Sequence, residues 1–161
     1  MVRGRLIGTM LAGVLSAGGG AAQEARRVPY WASISSGQAL MRTGPGKEFP
    51  ARWLYQRRGL PVRVTAVHGS WRKVADPAGE SGWMLGALLT AERGAIVTGG
   101  APRPLRSSPD DGARVSWRAA PGVVGRIDDC GEGWCRMDVG GKRGWVRVAH
   151  IWGVDPGEVV N

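Results

Sequence analysis

Two histidines, two cysteines and three lysines in 161 residues leave few ways to build reactive chemistry. A structural zinc site takes four ligands at finger-like spacing. Cys130 and Cys135 have four residues between them, and His68 and His150 are scattered, so the pattern predicts no metal site and no cofactor. The cysteine spacing is also too long for Cys-x-x-Cys redox chemistry. No Gly-x-Ser-x-Gly elbow is present. Cys135 with His150 would make a thiol pair only if that thiol were free. The carboxylate pairs Asp110-Asp111 and Asp128-Asp129 are adjacent in sequence, so their side chains diverge in extended chain and read as turn and surface residues. The expectation is therefore a protein that is not an enzyme. Helical periodicity is also missing, apart from one turn's worth in "WMLGALLTAE"; 27 glycines and 10 prolines predict turns instead.

The first 22 residues point to a compartment. Arg3 and Arg5 lie in a short basic stretch, Leu6 to Ala17 form an apolar run, and Gly18 to Ala22 are all small. The run is too short to span a bilayer, which needs about 20 residues. The order is that of a secretory signal peptide cleaved after Ala22, with a periplasmic or secreted product and no stable membrane insertion after cleavage. Cleavage removes Arg3 and Arg5, and the formal charge falls from +9 to +7. From Gln23 to Val97 there are 11 basic and 5 acidic residues; from Thr98 to Asn161 there are 9 and 8. The first half is thus the candidate for an anionic partner. Export makes nucleic acid a poor candidate, so none is expected.

Beneath this asymmetry lies a repeat. Met41-Arg42 and Leu105-Arg106 each open a unit. A Pro-containing loop follows, "TGPG" and "SSPD", then an apolar strand, "LPVRVTAV" and "VVGRID". A turn leading into Trp71 or Trp134 comes next, and Gly82-Trp83 or Gly144-Trp145 closes the set. Val64 precedes Trp71 by seven residues, as Ile127 precedes Trp134. Short segments rich in Val, Trp, Ile and Leu between Gly/Pro turns predict an all-β chain. The expected organisation is a signal peptide over 1–22 and tandem small β-barrels over 32–97 and 98–158. In "LPVRVTAVH", Leu60, Val62, Val64 and Ala66 should share one face, with Arg63 and Thr65 on the other. Trp71 lies three residues before core-bound Val74, as Trp134 does before Met137, so either a bulge intervenes or these rings sit outside.

The stretches "LMRTGPGKEFPARWLYQRRGLPVRV", "SWRKV", "GWM", "GALLT", "CGEGWCRMDVGGKRGWV" and "IWGVDPGE" resemble the bacterial SH3 (SH3b, SH3-like) domain family, in its tandem exported form from Gram-negative, especially alphaproteobacterial, envelopes. The resemblance covers about residues 32–158. It implies two SH3-like barrels and a non-catalytic binding role; relatives attached to cell-wall hydrolases bind peptidoglycan peptides. The second copy departs from the pattern in "SSPDDGARVSW", which lacks the Gly-Pro-Gly loop and the aromatic after it.

In the first copy, Phe49, Trp53, Tyr55, Trp71 and Trp83 stand with Arg57, Arg58, Arg63, Arg72 and Lys73 close in sequence. Aromatic platforms beside arginine forks suit peptides carrying carboxylates. The candidate ligand residues are Phe49, Trp53, Tyr55, Arg57, Arg58, Trp71 and Trp83, and the partner is a peptidoglycan peptide or an envelope protein. The alternative role is a protein–protein adaptor or regulator of an envelope enzyme. Cys130 and Cys135 flank Gly131 to Trp134, a four-residue loop that would let them meet across a hairpin. An exported chain meets oxidising conditions, so a disulfide is expected.

Overall fold

The computed structural model describes residues 26–161, and the expected signal peptide over 1–22 lies outside them. Among the described residues, fourteen strands make two sheets that repeat one another strand for strand. In the first, β1 (Tyr30–Ile34), β2 (Ala39–Arg42), β3 (Ala51–Tyr55), β4 (Pro61–His68), β5 (Trp71–Ala75), β6 (Ser81–Leu85) and β7 (Leu89–Thr90) run in the order β3-β2-β6-β5-β4-β1-β7. In the second, β8 (Gly94–Val97), β9 (Arg103–Arg106), β10 (Val115–Ala119), β11 (Val124–Gly131), β12 (Trp134–Val139), β13 (Lys142–Arg147) and β14 (Ile151–Trp152) run β10-β9-β13-β12-β11-β8-β14. A single 3-10 turn precedes the last strand of each, Gly86–Leu88 and Val148–His150. The first lies within "WMLGALLTAE", where the sequence allowed one turn.

Each sheet curls round its own core. Ile34, Met41, Val62, Val64, Val74 and Met84 fill the first, and Val97, Leu105, Ile127, Met137 and Val146 the second. Gly82 has no side chain because Met41 and the Arg42 carbonyl oxygen approach within 2.6 and 2.7 Å of where a Cβ would stand. Gly144 meets Leu105 in the same way, at 2.7 Å. The Gly-Trp landmarks thus mark where β6 and β13 cross close beneath β2 and β9.

Leu60, Val62 and Val64 are buried as the alternation predicts, but Ala66 leaves that face. The cause is a bulge: Val64 pairs with Val74, whereas Ala66 pairs with Lys73, so Thr65 is the extra residue. The second barrel has the same irregularity between Ile127 and Asp129. Past the bulge, Trp71 pairs with Leu85 and Trp134 with Arg147, one strand position from buried Met84 and Val146. Both rings therefore point away from the cores.

The cysteines pair directly across β11 and β12 and form a disulfide. The loop between them is tighter than expected, because the strands continue to Gly131 and Trp134. Only Glu132 and Gly133 turn, both at positive φ, 51° and 82°. The C-terminal segment adds a further tie, since Val160 bridges Cys130 through two backbone hydrogen bonds of 2.8 and 3.1 Å.

The two barrels share a polar and aromatic seam. Ser33 Oγ accepts a hydrogen bond from Gly94 N–H at 2.9 Å. Trp31 and Trp152 meet edge to face with centroids 4.6 Å apart. Arg63 stacks over Trp31 at 4.6 Å and pairs with Asp155. Arg93, in the short connection between barrels, donates to Glu158 and, at 2.8 Å, to the Gly153 carbonyl. Burial acts to raise the Glu158 pKa, but the hydrogen bonds from Arg93 and from the Asp155 N–H outweigh it and hold it low.

Two outcomes follow for stability. In Gly94→Ala, a Cβ would press on Ser33 Oγ at 2.7 Å and on the Gly59 carbonyl. Neither can retreat, so the substitution should cost about 1–3 kcal/mol, read as a lowered melting temperature. Replacing both Cys130 and Cys135 with Ala should cost about 2 kcal/mol, the chain-entropy value for so short a loop, read by denaturant unfolding.

Candidate functional site

The outward face of the first barrel carries a groove of about 380 Å³ lined by Gln38, Leu40, Arg42, Lys47, Leu54, Trp71, Leu85 and Leu88. Leu40 and Leu54 are a cross-strand pair of β2 and β3, and Leu85 lies beside Trp71. Leu88 comes from the 3-10 turn. Lys47 reaches in from the loop joining β2 to β3. That loop is held by the Thr43 N–H donating to the Pro50 carbonyl at 3.1 Å and by Arg42 Nη1 donating to the Phe49 carbonyl at 2.8 Å. Trp71 is only 9% exposed although it points outward, because these side chains close round it. Leu54, at the rim, is 50% exposed. Apolar walls over an indole with two cations on one side suit an apolar side chain next to a carboxylate.

The candidates named from the sequence do not gather here. Trp71 is in the groove, and Trp83 shares its face, paired with Arg42 and Lys73 outside the lining. Trp53 and Tyr55 alternate with Leu54 on β3 and so point to the opposite face. Trp53 Nε1 donates to Glu80 at 3.3 Å, and the Tyr55 hydroxyl donates to Asp76 at 2.9 Å. Burial, reinforced by Asp76, pushes the Tyr55 pKa well above its ordinary value. The Phe49 ring lies against Gly44 within its own loop. Arg57 and Arg58 are exposed on the β3–β4 turn, and Arg58 lines a cleft at the seam with Arg93 and Arg126. Arg63 is spent on the seam, and Arg72 Nη1 folds back onto the Gly69 and Trp71 carbonyls.

Sequence reasoning missed Leu40, Leu54, Leu85 and Leu88 because it sought aromatics. The signal was present: Leu40 flanks core residue Met41 and Leu85 flanks core residue Met84, so each must face out.

In the second barrel the equivalent face is differently filled. Arg147 occupies the position of Leu85, and its guanidinium carbon lies 4.2 Å from the centroid of the Trp134 ring. Arg147 Nε donates to Asp111 at 3.2 Å and Nη2 bonds the other carboxylate oxygen. That hydrogen bond holds the Asp111 pKa below the usual carboxylate range. His150 stands where the first barrel has Leu88; burial, then Arg103 and Arg147, lower its pKa. Cys135 is oxidised to the disulfide, which closes the thiol-pair reading. Among the described residues, no three His, Cys, Asp or Glu side chains lie close enough to hold a metal, and no helix is long and apolar enough to cross a membrane.

The model of the bacterial SH3 domain family matches residues 35–90 and again 99–153. A Bacillus subtilis (strain 168) protein named "Putative N-acetylmuramoyl-L-alanine amidase YrvJ" is 24% identical over 74% of this chain and 25% of its own length. Among solved structures, NlpC2 from Trichomonas vaginalis is similar at a TM-score of 0.36 and 12% identity, covering 82% of this chain and 52% of that one. An NlpC/P60 family protein from Bacillus cereus ATCC 10987 is similar at 0.35 and 16%, covering 76% and 56%. The chain thus spans a quarter to about half the length of these relatives.

A lowered histidine pKa means that the folded state resists protonation, so stability is lost as pH falls below the ordinary value of 6.5. Replacing His150 with Leu, the first barrel's residue, should flatten this loss. Unfolding free energies at pH 7 and pH 5.5 should differ less in the variant than in the native chain.

Proposed function

The chain belongs to the bacterial SH3 domain family, and on that premise we propose that it is a non-catalytic binding module of the cell envelope. It acts after export to the periplasm, and its first barrel takes a peptidoglycan peptide or a related envelope peptide. The observation that carries this reading is the open leucine groove over Trp71 with Arg42 and Lys47 at its edge. Peptides of the wall offer short apolar side chains and free carboxylates, which match that combination. The likeness to a protein named as an amidase of N-acetylmuramoyl-L-alanine supports the wall as the setting. The described residues form the two barrels alone, so the module would recognise and leave cutting to another protein. Its first half carries nearly all the net positive charge, which favours an anionic polymer.

Sedimentation with purified sacculi tests this. The mature chain should pellet with sacculi at low salt. A double variant, Lys47→Asp with Leu85→Arg, gives the first groove the second's residues and should bind at least tenfold more weakly. Native protein that stays in the supernatant, or a double variant that pellets equally well, would overturn the reading.

A further inference from the structure

The groove position of the second barrel already holds a side chain in the manner of a ligand. The loops 43–50 and 107–114 correspond residue by residue. Ser107 N–H donates to the Arg114 carbonyl at 3.0 Å, as Thr43 does to Pro50, and Arg106 Nη1 donates to the Ala113 carbonyl at 2.7 Å, as Arg42 does to Phe49. This equivalence sets Asp111 where the first barrel has Lys47. Strand pairing sets Trp134 at the place of Trp71 and Arg147 at that of Leu85. Two positions have therefore exchanged their chemistry together, and the charge at the loop has reversed sign.

We propose that this platform of Trp134 and Asp111 recognises an arginine side chain presented by a peptide segment of a protein partner, with Arg147 as its displaceable internal stand-in. The contacts of Arg147 describe what the site accepts. Its planar guanidinium lies 4.2 Å from the Trp134 ring centroid and offers two donors to the two oxygens of one carboxylate. An ammonium has no such plane or fork, so the geometry selects arginine over lysine. Asp110 adds a second negative charge near Arg147. Of the neighbouring cations, Arg106 donates to the Ala113 carbonyl and Arg103 to the Thr98 carbonyl, while Arg118, paired with Pro104 at the place of Leu54, is exposed at the rim. The platform is preorganised, because Trp134 adjoins the disulfide and begins a strand fixed by a two-residue turn.

Displacement is within reach of an ordinary ligand. The Arg147 side chain is 38% exposed and that of Asp111 67%. Exposed ion pairs are weak, so the internal occupant should reduce apparent affinity by about tenfold. The two barrels would then read opposite charges, a carboxylate in the first and a guanidinium in the second. This inference is independent of the first barrel's ligand, since it uses no residue of that groove.

The test titrates the mature chain with a short capped peptide containing one arginine, and with its lysine and citrulline counterparts. The indole N–H resonance of Trp134, assigned with Trp134→Phe, reports binding. Native protein should show a saturable shift with the arginine peptide. Arg147→Ala should bind it about tenfold more tightly, the lysine peptide several-fold more weakly, and the citrulline peptide not at all. Asp111→Asn should abolish the response. If Arg147→Ala does not fold, Arg147→Leu, which restores the first barrel's residue, takes its place. The proposal is overturned if the Trp134 signal of the opened variant does not move. It is also overturned if citrulline moves the signal equally, or if native protein shows no shift at a hundred times the variant's midpoint.

Discussion

The unbroken pairing of β5 with β6, and of β12 with β13, decides which way a tryptophan faces in each barrel. Val64 and Ile127 must stay in their cores, and Trp71 and Trp134 follow each by seven residues. The bulges at Thr65 and Asp128 shift the pairing by one. On the regular strands β5 and β12, Trp71 and Trp134 stand three residues before buried Val74 and Met137, so their indoles face outward, and the bulges let the partner strands follow. Everything on the outer face is arranged round that ring: the partner position on β6 or β13, the loop from β2 or β9, and the 3-10 turn. The cores can diverge in detail, but this pairing has to persist in both copies for either face to exist.

On this common frame the copies differ by charge more than by shape. In the first barrel, Lys47 and Arg42 edge an apolar groove, and the acidic residues Glu80 and Asp76 are engaged on the far face with Trp53 and Tyr55. In the second, opposite charges neutralise one another locally: Arg147 with Asp111, Arg136 with Asp128, Arg143 with Asp138. Pairing thus decides, beyond the net charge of each half, which charges stay available to a partner. An unpaired cation beside exposed leucines can attract and hold an anion, whereas a paired one must first let go.

Much of the fold was legible because it repeats. Gly82 and Gly144, Trp71 and Trp134, Met41 and Leu105 occupy corresponding sites, and two weak patterns in register are stronger than either alone. The disulfide was expected from cysteines flanking a hairpin in a chain expected to be exported, and it is present, although Glu132 and Gly133 make a tighter turn than the spacing alone implied. The candidate site was harder to read. Trp53 and Tyr55 are near neighbours of the groove in sequence but sit on the wrong side of a pleat, and Arg63 is drawn to Asp155, 92 residues away. The leucines that form the groove carry no chemical flag. Only their position beside core residues, Leu40 next to Met41 and Leu85 next to Met84, marks them.

The seam between barrels has a consequence for how such a chain could grip a surface. Its connection is short, and Ser33, Arg63, Arg93 and the Trp31–Trp152 contact hold the two bodies against each other. Neither outer face can search on its own, as it would on a flexible tether. The pair acts as a caliper with fixed jaws. A target offering two sites at the matching separation gains the second contact as an intramolecular event, at high effective concentration. One whose sites are spaced otherwise gains nothing from the second jaw. Spacing along the target thereby becomes a selected property, set by the few contacts where the two copies meet.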